Sequence, residues 1–191
     1  MLVVQGLAFL LAVCAATSSA LQAQVVSTVA GDVNQAGDRD GKALGEATFN
    51  NPHGIAIDGR GILYIADRWN HKIRKYDPHT GLVSTLAGTG AIGSTDGPGN
   101  TARFHAPWGI AADAVGNVYV ADTKNQKIRK IDTLGNVSTY AGTGSFGVAN
   151  GPRLAARFAD PTGITLAPDG SIYVCDHLGH TIRKISPDGM V

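Results

Sequence analysis

The sequence predicts an all-β chain, a β-propeller of three four-stranded antiparallel blades that make an incomplete ring. Three observations predict it. The string Val-Ser-Thr-x-Ala-Gly begins at Val26, Val83 and Val137, at intervals of 57 and 54 residues. A second string, Ala-x-Phe-x-x-Pro-x-Gly-Ile, recurs in register from Ala47, Ala102 and Ala156. Each copy then continues into short apolar runs separated by Gly, Asn, Asp and Pro, and no window carries a useful helical period. Self-similarity at a fixed period means a repeat architecture, and four short strands per unit of this length point to propeller blades.

The strands, labelled a to d, follow in order. In the first copy they are Gly54–Asp58, Ile62–Asp67, Lys72–Tyr76 and Leu82–Leu86. In the second they are Gly109–Asp113, Asn117–Asp122, Lys127–Ile131 and Val137–Ala141. In the third they are Gly163–Ala167, Ser171–Asp176 and Thr181–Ile185, with a fourth only begun at Val191. β-Branched and aromatic residues fill the runs and turn formers fill the gaps, as in antiparallel strands joined by tight turns. Strands a and b are apolar on both faces (Leu63-Tyr64-Ile65-Ala66, Val118-Tyr119-Val120-Ala121). Such strands need cover on both sides, which stacked blades supply. The blades therefore span about 47–87, 102–141 and 156–191, and Val25–Ala30 reads as a detached fourth strand.

One further segment precedes the repeats. Met1 to Ala20 reads as a secretory signal peptide: Leu2–Ala16 is uncharged and apolar, and Ser18 and Ala20 supply small residues before a cleavage point. The stretch is too short for a comfortable membrane span. The expected location is thus extracellular or periplasmic, with no span in the mature chain. The repeats hold one cysteine, Cys175, at the place of Ala66 and Ala121, so no internal disulfide supports the fold. The net charge of +1 gives no field that favours nucleic acid. Asn136-Val137-Ser138 is a glycosylation sequon on a c–d turn.

Asp67-Arg68-Trp69-Asn70-His71-Lys72-Ile73-Arg74-Lys75-Tyr76-Asp77 resembles the core of the NHL repeat, named for an Asn-His-Leu string. The segment from Asp122 to Asp132 matches it with Gln126 in the His place, and the segment from Asp176 to Ile185 is a weaker third copy with Gly179 replacing Asn. The resemblance covers about residues 25–191. It implies an NHL-type propeller, a fold that hosts several functions. NHL domains mostly act as interaction platforms. The resemblance therefore implies a binding scaffold for a protein, peptide or glycan. Related propellers are also enzymes, either an amidating lyase with a metal in the central channel or calcium-dependent lactonases. Others bind RNA through a basic loop face, for which Arg68, Lys72, Lys124 and Lys127 are the available cations.

Recurring residues read as architecture. Asp67, Asp122 and Asp176 end strand b as hydrogen-bond acceptors. Arg74, Arg129 and Arg183 are expected to bridge neighbouring blades. Asp58, Asp113 and Asp169 head the a–b turns. Function is sought instead where the blades differ, on the face carrying the b–c turns and the long d–a segments 32–52, 90–107 and 144–161, since loops on a rigid scaffold carry binding residues. The candidates are His53, Arg68, Trp69, His71, Trp108, Lys124, His177 and His180, with Thr162 at the third strand-a mouth. Exposed Trp and Arg are typical anchors, although both indoles could equally cover blade edges. No metal or other cofactor is expected. His177 and His180 lack a cysteine or carboxylate cluster to complete a zinc set. The Asp38-Arg39-Asp40-Gly41 string has Ala47 where a calcium loop needs Glu. No nucleophile elbow, P-loop or dinucleotide fingerprint is present, so an enzyme is the less favoured reading.

Three blades give an arc, and repeat arrays protect their ends with polar caps. The third copy keeps its interior pattern at Ile164, Ile172, Val174 and Ile182. Two arrangements are expected to cover such ends: further blades in a longer protein, or self-association of two copies to complete the ring.

Overall fold

The computed structural model describes residues 26–191, so the expected leader and Val25 lie outside the described residues. In chain order the strands are β1 (Gly41–Lys42), β2 (Pro52–Ile57), β3 (Leu63–Asp67), β4 (Lys72–Asp77), β5 (Leu82–Ala87), β6 (Gly97–Pro98), β7 (Ile110–Ala112), β8 (Val118–Asp122), β9 (Lys127–Ile131), β10 (Asn136–Ala141), β11 (Pro161–Leu166), β12 (Ile172–Asp176) and β13 (Thr181–Ile185). They form three antiparallel sheets in the orders β1-β5-β4-β3-β2, β6-β10-β9-β8-β7 and β11-β12-β13. Among the described residues the helical content is two single 3-10 turns, Arg68–Asn70 and Thr123–Asn125, each inside a b–c connection. No helix among the described residues is long and apolar enough to cross a membrane.

The alternation of apolar residues sets which blade faces meet. Ile62, Tyr64, Ala66 and Ile73 from blade 1 close against Phe104, Ile110, Val118, Val120 and Ile131 from blade 2. The same positions one repeat later, Ala121 and Ile128, close against Phe158, Ile172, Val174 and Ile185. Strand a lies innermost, with β2 packed on β7 and β7 on β11. That approach is too close for a side chain. A Cβ on Gly54 would lie 2.4 Å from the Trp108 carbonyl oxygen, and one on Gly109 would lie 2.0 Å from that of Thr162. Hence the repeated Gly-Ile at the start of strand a: glycine admits the neighbouring backbone and isoleucine seals the seam.

The d–a segments depart from expectation. They do not stay on the loop face. Each runs down the outer edge of its own blade, where in blades 1 and 2 it adds a short fifth strand. Gly41 pairs with Val83, and Gly97 with Val137. In blade 3, Gly151 and Val191 exchange two backbone hydrogen bonds in the same register. The cause is the recurring Asp-Gly dipeptide. Gly41, Gly97 and Gly151 take φ of +136°, +125° and +137°, which glycine adopts at little cost. The preceding Asp or Asn turns inward to an arginine.

Those arginines do not bridge neighbouring blades, which corrects the sequence expectation. Each ties its own sheet to its own connector. Arg74 is fully buried and contacts Asp67 at 2.8 Å and Asp40 at 2.6 Å. Arg129 repeats this with Asp122 at 2.8 Å and Asp96 at 2.5 Å. Arg183 meets Asp176 at 3.2 Å and, in place of a carboxylate, the Asn150 side-chain oxygen at 2.6 Å. Each guanidinium also lies over the phenylalanine of its connector, Phe49, Phe104 or Phe158, at 5.1–5.2 Å. A buried charge is tolerated only when paired and hydrogen-bonded, and the terminal nitrogens of every clamp arginine meet two side-chain acceptors and two backbone carbonyls, while Nε of Arg74 and of Arg129 has no partner among the described residues. Burial is the largest influence on Asp67, Asp122 and Asp176 and pushes their carboxyls above the ordinary value, while backbone N–H donors and the arginine pull the other way.

Residues 26–30, expected as a detached strand, pair with no sheet here, and Val26 is 99% exposed. Gly31 nonetheless donates to the Ala43 carbonyl at 2.8 Å, as Gly88 donates to Gly99 and Gly142 to Arg153. The segment therefore enters blade 1 as a strand d would.

Candidate functional site

The b–c turns and the mouths of strand a share one end of the arc, because Pro52 pairs with Asp67 and Pro161 with Asp176. Here the candidates divide into three groups. His53, Arg68 and Trp108 come together. The Arg68 guanidinium lies 4.2 Å over the Trp108 ring, and the His53 ring centre stands 4.0 Å from that ring at 47°. Arg68 starts the 3-10 turn of blade 1, while Trp108 opens strand a of blade 2, so the cluster straddles a seam. Arg68 reaches the Asn51 side-chain oxygen at 3.4 Å. Its Nε is buried and has no hydrogen-bond partner. Desolvation, and then the Arg68 charge, hold His53 below its ordinary pKa. Trp69, next along the same turn, is 57% exposed and faces solvent.

The second group is structural. His71 ends the turn in the left-handed region, at φ 53°, and its Nδ1 accepts the Ala106 N–H at 3.1 Å across the blade 1–2 seam. At the next seam Gln126 Oε1 accepts the Asp160 N–H at 2.7 Å. The His and Gln of the repeat thus do one job, accepting a backbone N–H from the following blade. The residue that donates is itself in the left-handed region in each case, at φ 50° for Ala106 and 59° for Asp160. Burial first, and then the neighbouring His105, depress His71 below its ordinary pKa, consistent with an Nδ1 that must stay unprotonated. Lys124 is likewise engaged across a seam, with Asp160 at 2.5 Å, and Thr123 donates to the Pro161 carbonyl at 2.7 Å. Sequence reasoning overlooked Asn51, Ala106 and Asp160. Nothing local signalled them, since a residue before proline favours extended backbone, yet these three take φ of 54°, 50° and 59°.

The third group, His177 and His180, lies on the open side of blade 3 around a small groove with Cys175 and Ile182. Thr162 donates to the Cys175 carbonyl at 3.3 Å. No cluster of three or more metal-ligating side chains occurs among the described residues. Asn136 is exposed at the start of β10, and its side-chain N–H₂ donates to Asp132 at 3.2 Å.

Comparison with known proteins agrees with the propeller fold. The NHL repeat matches three times, at residues 49–76, 104–131 and 158–185. Protein SUPPRESSOR OF QUENCHING 1, chloroplastic, from Arabidopsis thaliana is 44% identical over 96 residues, covering 50% of this chain and 9% of that protein. Peptidyl-alpha-hydroxyglycine alpha-amidating lyase 1 from Drosophila melanogaster is 28% identical over 127 residues, covering 65% of this chain and 23% of that one. Among solved structures, an auxiliary nutrient binding protein from Bacteroides thetaiotaomicron superposes with a TM-score of 0.63 at 28% identity, over 74% of this chain and 38% of its own. The chain thus spans well under half the length of these relatives. Three matches to one repeat, each in register with an observed blade, make this chain a member of the NHL-repeat β-propeller family.

Proposed function

We propose that this chain is an extracellular or periplasmic binding scaffold whose loop face takes a peptide or glycan at the cluster of His53, Arg68 and Trp108. One observation carries the reading. The positions that differ between blades converge into a cation–aromatic–imidazole stack, whereas the equivalent positions at the next seam, Thr123 and Thr162, make only backbone hydrogen bonds. A half-buried indole beside a guanidinium offers an apolar platform and fixed donors at one point, the composition of an interaction hot spot. The nutrient-binding name of the solved Bacteroides relative supports both the scaffold role and the location. The near-neutral chain offers no electrostatic footprint for RNA.

The lyase relative favours a second reading, in which the same end of the propeller does chemistry. One experiment separates the two. Peptide and oligosaccharide arrays are probed with the labelled chain, captured ligands are titrated by tryptophan fluorescence, and their masses are checked afterwards. Quenching is expected, with affinity falling about tenfold or more in Trp108→Ala, roughly 1.4 kcal/mol, and the ligand recovered intact. A ligand recovered with altered mass supports the enzyme. Blank arrays, or capture indifferent to both Trp108→Ala and Arg68→Ala, overturn the site.

A further inference from the structure

The seam between blades 2 and 3 carries side chains that the seam between blades 1 and 2 does not. Tyr119 of β8 and Tyr140 of β10 both pack on the core that joins blade 2 to blade 3. Their rings meet edge to face with centres 5.2 Å apart. Arg153, from the connector of blade 3, lies over Tyr140 with its guanidinium carbon 4.7 Å from the ring centre. Lys130, opposite Tyr119 on β9, holds its Nζ 5.8 Å from the Tyr119 ring centre. All four residues are half-buried. Tyr119 is the second residue of β8 after the a–b turn, and the Arg153 N–H donates to the carbonyl of Gly189 in the c–d turn of blade 3 at 2.8 Å. The group therefore lies toward the end of the molecule away from the mouth.

One repeat earlier the same positions hold Tyr64, Leu86, Gly99 and Lys75. There the tyrosine hydroxyl is occupied. It donates to Asp58 at 3.0 Å and accepts from Arg60 at 3.2 Å. A Cβ on Gly99 would lie 2.5 Å from the Leu86 carbonyl oxygen, so that seam has no room for an arginine. In blade 2, Val115 replaces Arg60, and Asp113 is taken up by its own turn, accepting from Val115, Gly116 and Asn117. The hydroxyls of Tyr119 and Tyr140 and the guanidinium of Arg153 thus have no hydrogen-bond partner among the described residues. Neither Arg153 nor Lys130 joins any of the ion pairs there. Burial first, and then Tyr140, push the Tyr119 hydroxyl above its ordinary pKa and keep it a donor. The lysine–tyrosine pair recurs as Lys184 and Tyr173 at 5.8 Å and is architecture. Tyr140 and Arg153 are what this seam adds.

We infer that this seam is a second binding site, for an acidic sugar residue whose carboxylate or sulfate sits on Arg153 and Lys130 while its hydroxyls meet Tyr119 and Tyr140. A guanidinium stacked on an aromatic face keeps its edge free, and the fork of N–H donors along that edge suits an oxyanion. Lys130 adds a second positive charge, and the phenols add neutral donors. No carboxylate of the chain is paired with either cation, so none competes for them. A peptide fits less well. It docks by extending a free sheet edge or by filling apolar pockets. Here β6 pairs with the outer edge of β10, and Phe158, Ile172 and Val174 already fill the apolar part of the seam. The site is separate from the cluster of His53, Arg68 and Trp108 and stands whether or not that cluster binds.

The test is calorimetric titration of the chain with short oligomers of galacturonic acid, of sulfated galactose and of neutral galactose, and with an acidic peptide. At least one acidic oligomer is expected to bind about tenfold or more tightly than the neutral one, and to bind more weakly as salt rises. The better of the two acidic oligomers tells carboxylate from sulfate. Arg153→Gln and Tyr140→Leu, the latter restoring the residue of the other seam, should each weaken binding about tenfold or more. Circular dichroism and the denaturation midpoint of both should match the parent chain. Lys130→Gln, which leaves the stack of Arg153 on Tyr140 in place, should lower the affinity and flatten its salt dependence. Failure of both acidic oligomers to bind overturns the inference. So does equal binding of the neutral oligomer, tighter binding of the peptide, or an affinity that survives Arg153→Gln, Tyr140→Leu and Lys130→Gln. A loss in Trp108→Ala instead of in these three places the sugar at the mouth and overturns it as well.

Discussion

The clamps and the mouth of the propeller are built from the same repeat by opposite rules. At each clamp, arginine, strand-b aspartate and connector residue recur with almost the same distances in all three blades. At the mouth, the corresponding positions hold His53, Trp108 and Thr162, or Arg68, Thr123 and His177. The clamp's guanidinium and strand-b carboxylate are sealed from water, and the clamp gains nothing from variety. Its partners are fixed because removing one leaves a buried charge alone. The mouth is wet, and a change there costs little stability, so it is free to specialise. Residues that recur are those that the fold cannot do without; residues that differ are where recognition can be built.

This contrast can be broken most severely at a clamp. Arg129→Met leaves Asp122 and Asp96 without their cation, and Asp122 is fully buried. A loss of about 3–5 kcal/mol is expected, read as a shift in the chemical-denaturation midpoint. Trp108→Ala in the same assay should move the midpoint far less. Equal losses would erase the distinction between the two regions.

The seam responds to pH. The folded pKa of His71 lies below its ordinary value of 6.5. The folded chain therefore binds fewer protons here than the unfolded one, and this contribution to stability is complete above pH 6.5 and lost as pH falls through that value toward the folded pKa. Protonation at Nδ1 also removes the acceptor for Ala106. His71→Gln copies the residue that blade 2 already uses at Gln126 and should flatten the decline in melting temperature between neutral and mildly acidic pH. A decline of unchanged slope would mean that other groups, His53 among them, carry it.

The smallest effect sharpens the clamp itself. Blade 3 manages with Asn150 where the others have Asp40 and Asp96. Asp96 is about half exposed, so its charge is partly screened. Asp96→Asn should cost under about 1 kcal/mol and leave the fifth strand in place, measured by denaturation and by hydrogen exchange at Val137. A larger cost would show that the outer carboxylate matters as much as the inner one.

Much of this was legible in the chain before folding. The period, the Gly-Ile pairs and the turn residues placed strands a to d of blades 1 and 2 and a to c of blade 3 to within about two residues, because tight turns and two-faced apolar strands are local properties, but they gave no sign of β1 and β6. The clamps were only half legible. Asp67 and Arg74 lie close in sequence on adjacent strands, but Asp40 meets Arg74 from 34 positions away, and only the folded sheet edge brings them together. As sequence, the Asp-Gly dipeptides look like simple turns and do not show that the aspartate is the ligand of an arginine. The mouth was legible as a list of unlike residues and not as a site. His71 and Trp108 looked equally free, yet one is spent on a seam and the other stands in a stack. The pairing of His71 with Gln126 held the clue, since what those two side chains share is an acceptor at the same reach.

Because every clamp binds a connector to the sheet that follows it in the same repeat, no ion pair between described residues has to be remade with a new partner when a neighbour changes, apart from Lys124 with Asp160. Each unit of about 54 residues is in that sense a self-fastened cassette. A tandem duplication or an in-frame deletion of one unit keeps its internal locks intact and asks only that flat, greasy flanks and one or two side-chain-to-backbone bonds find each other again. Ring size in such a lineage is then set by unequal crossing-over and by curvature, with little resistance from the chemistry inside the wedge.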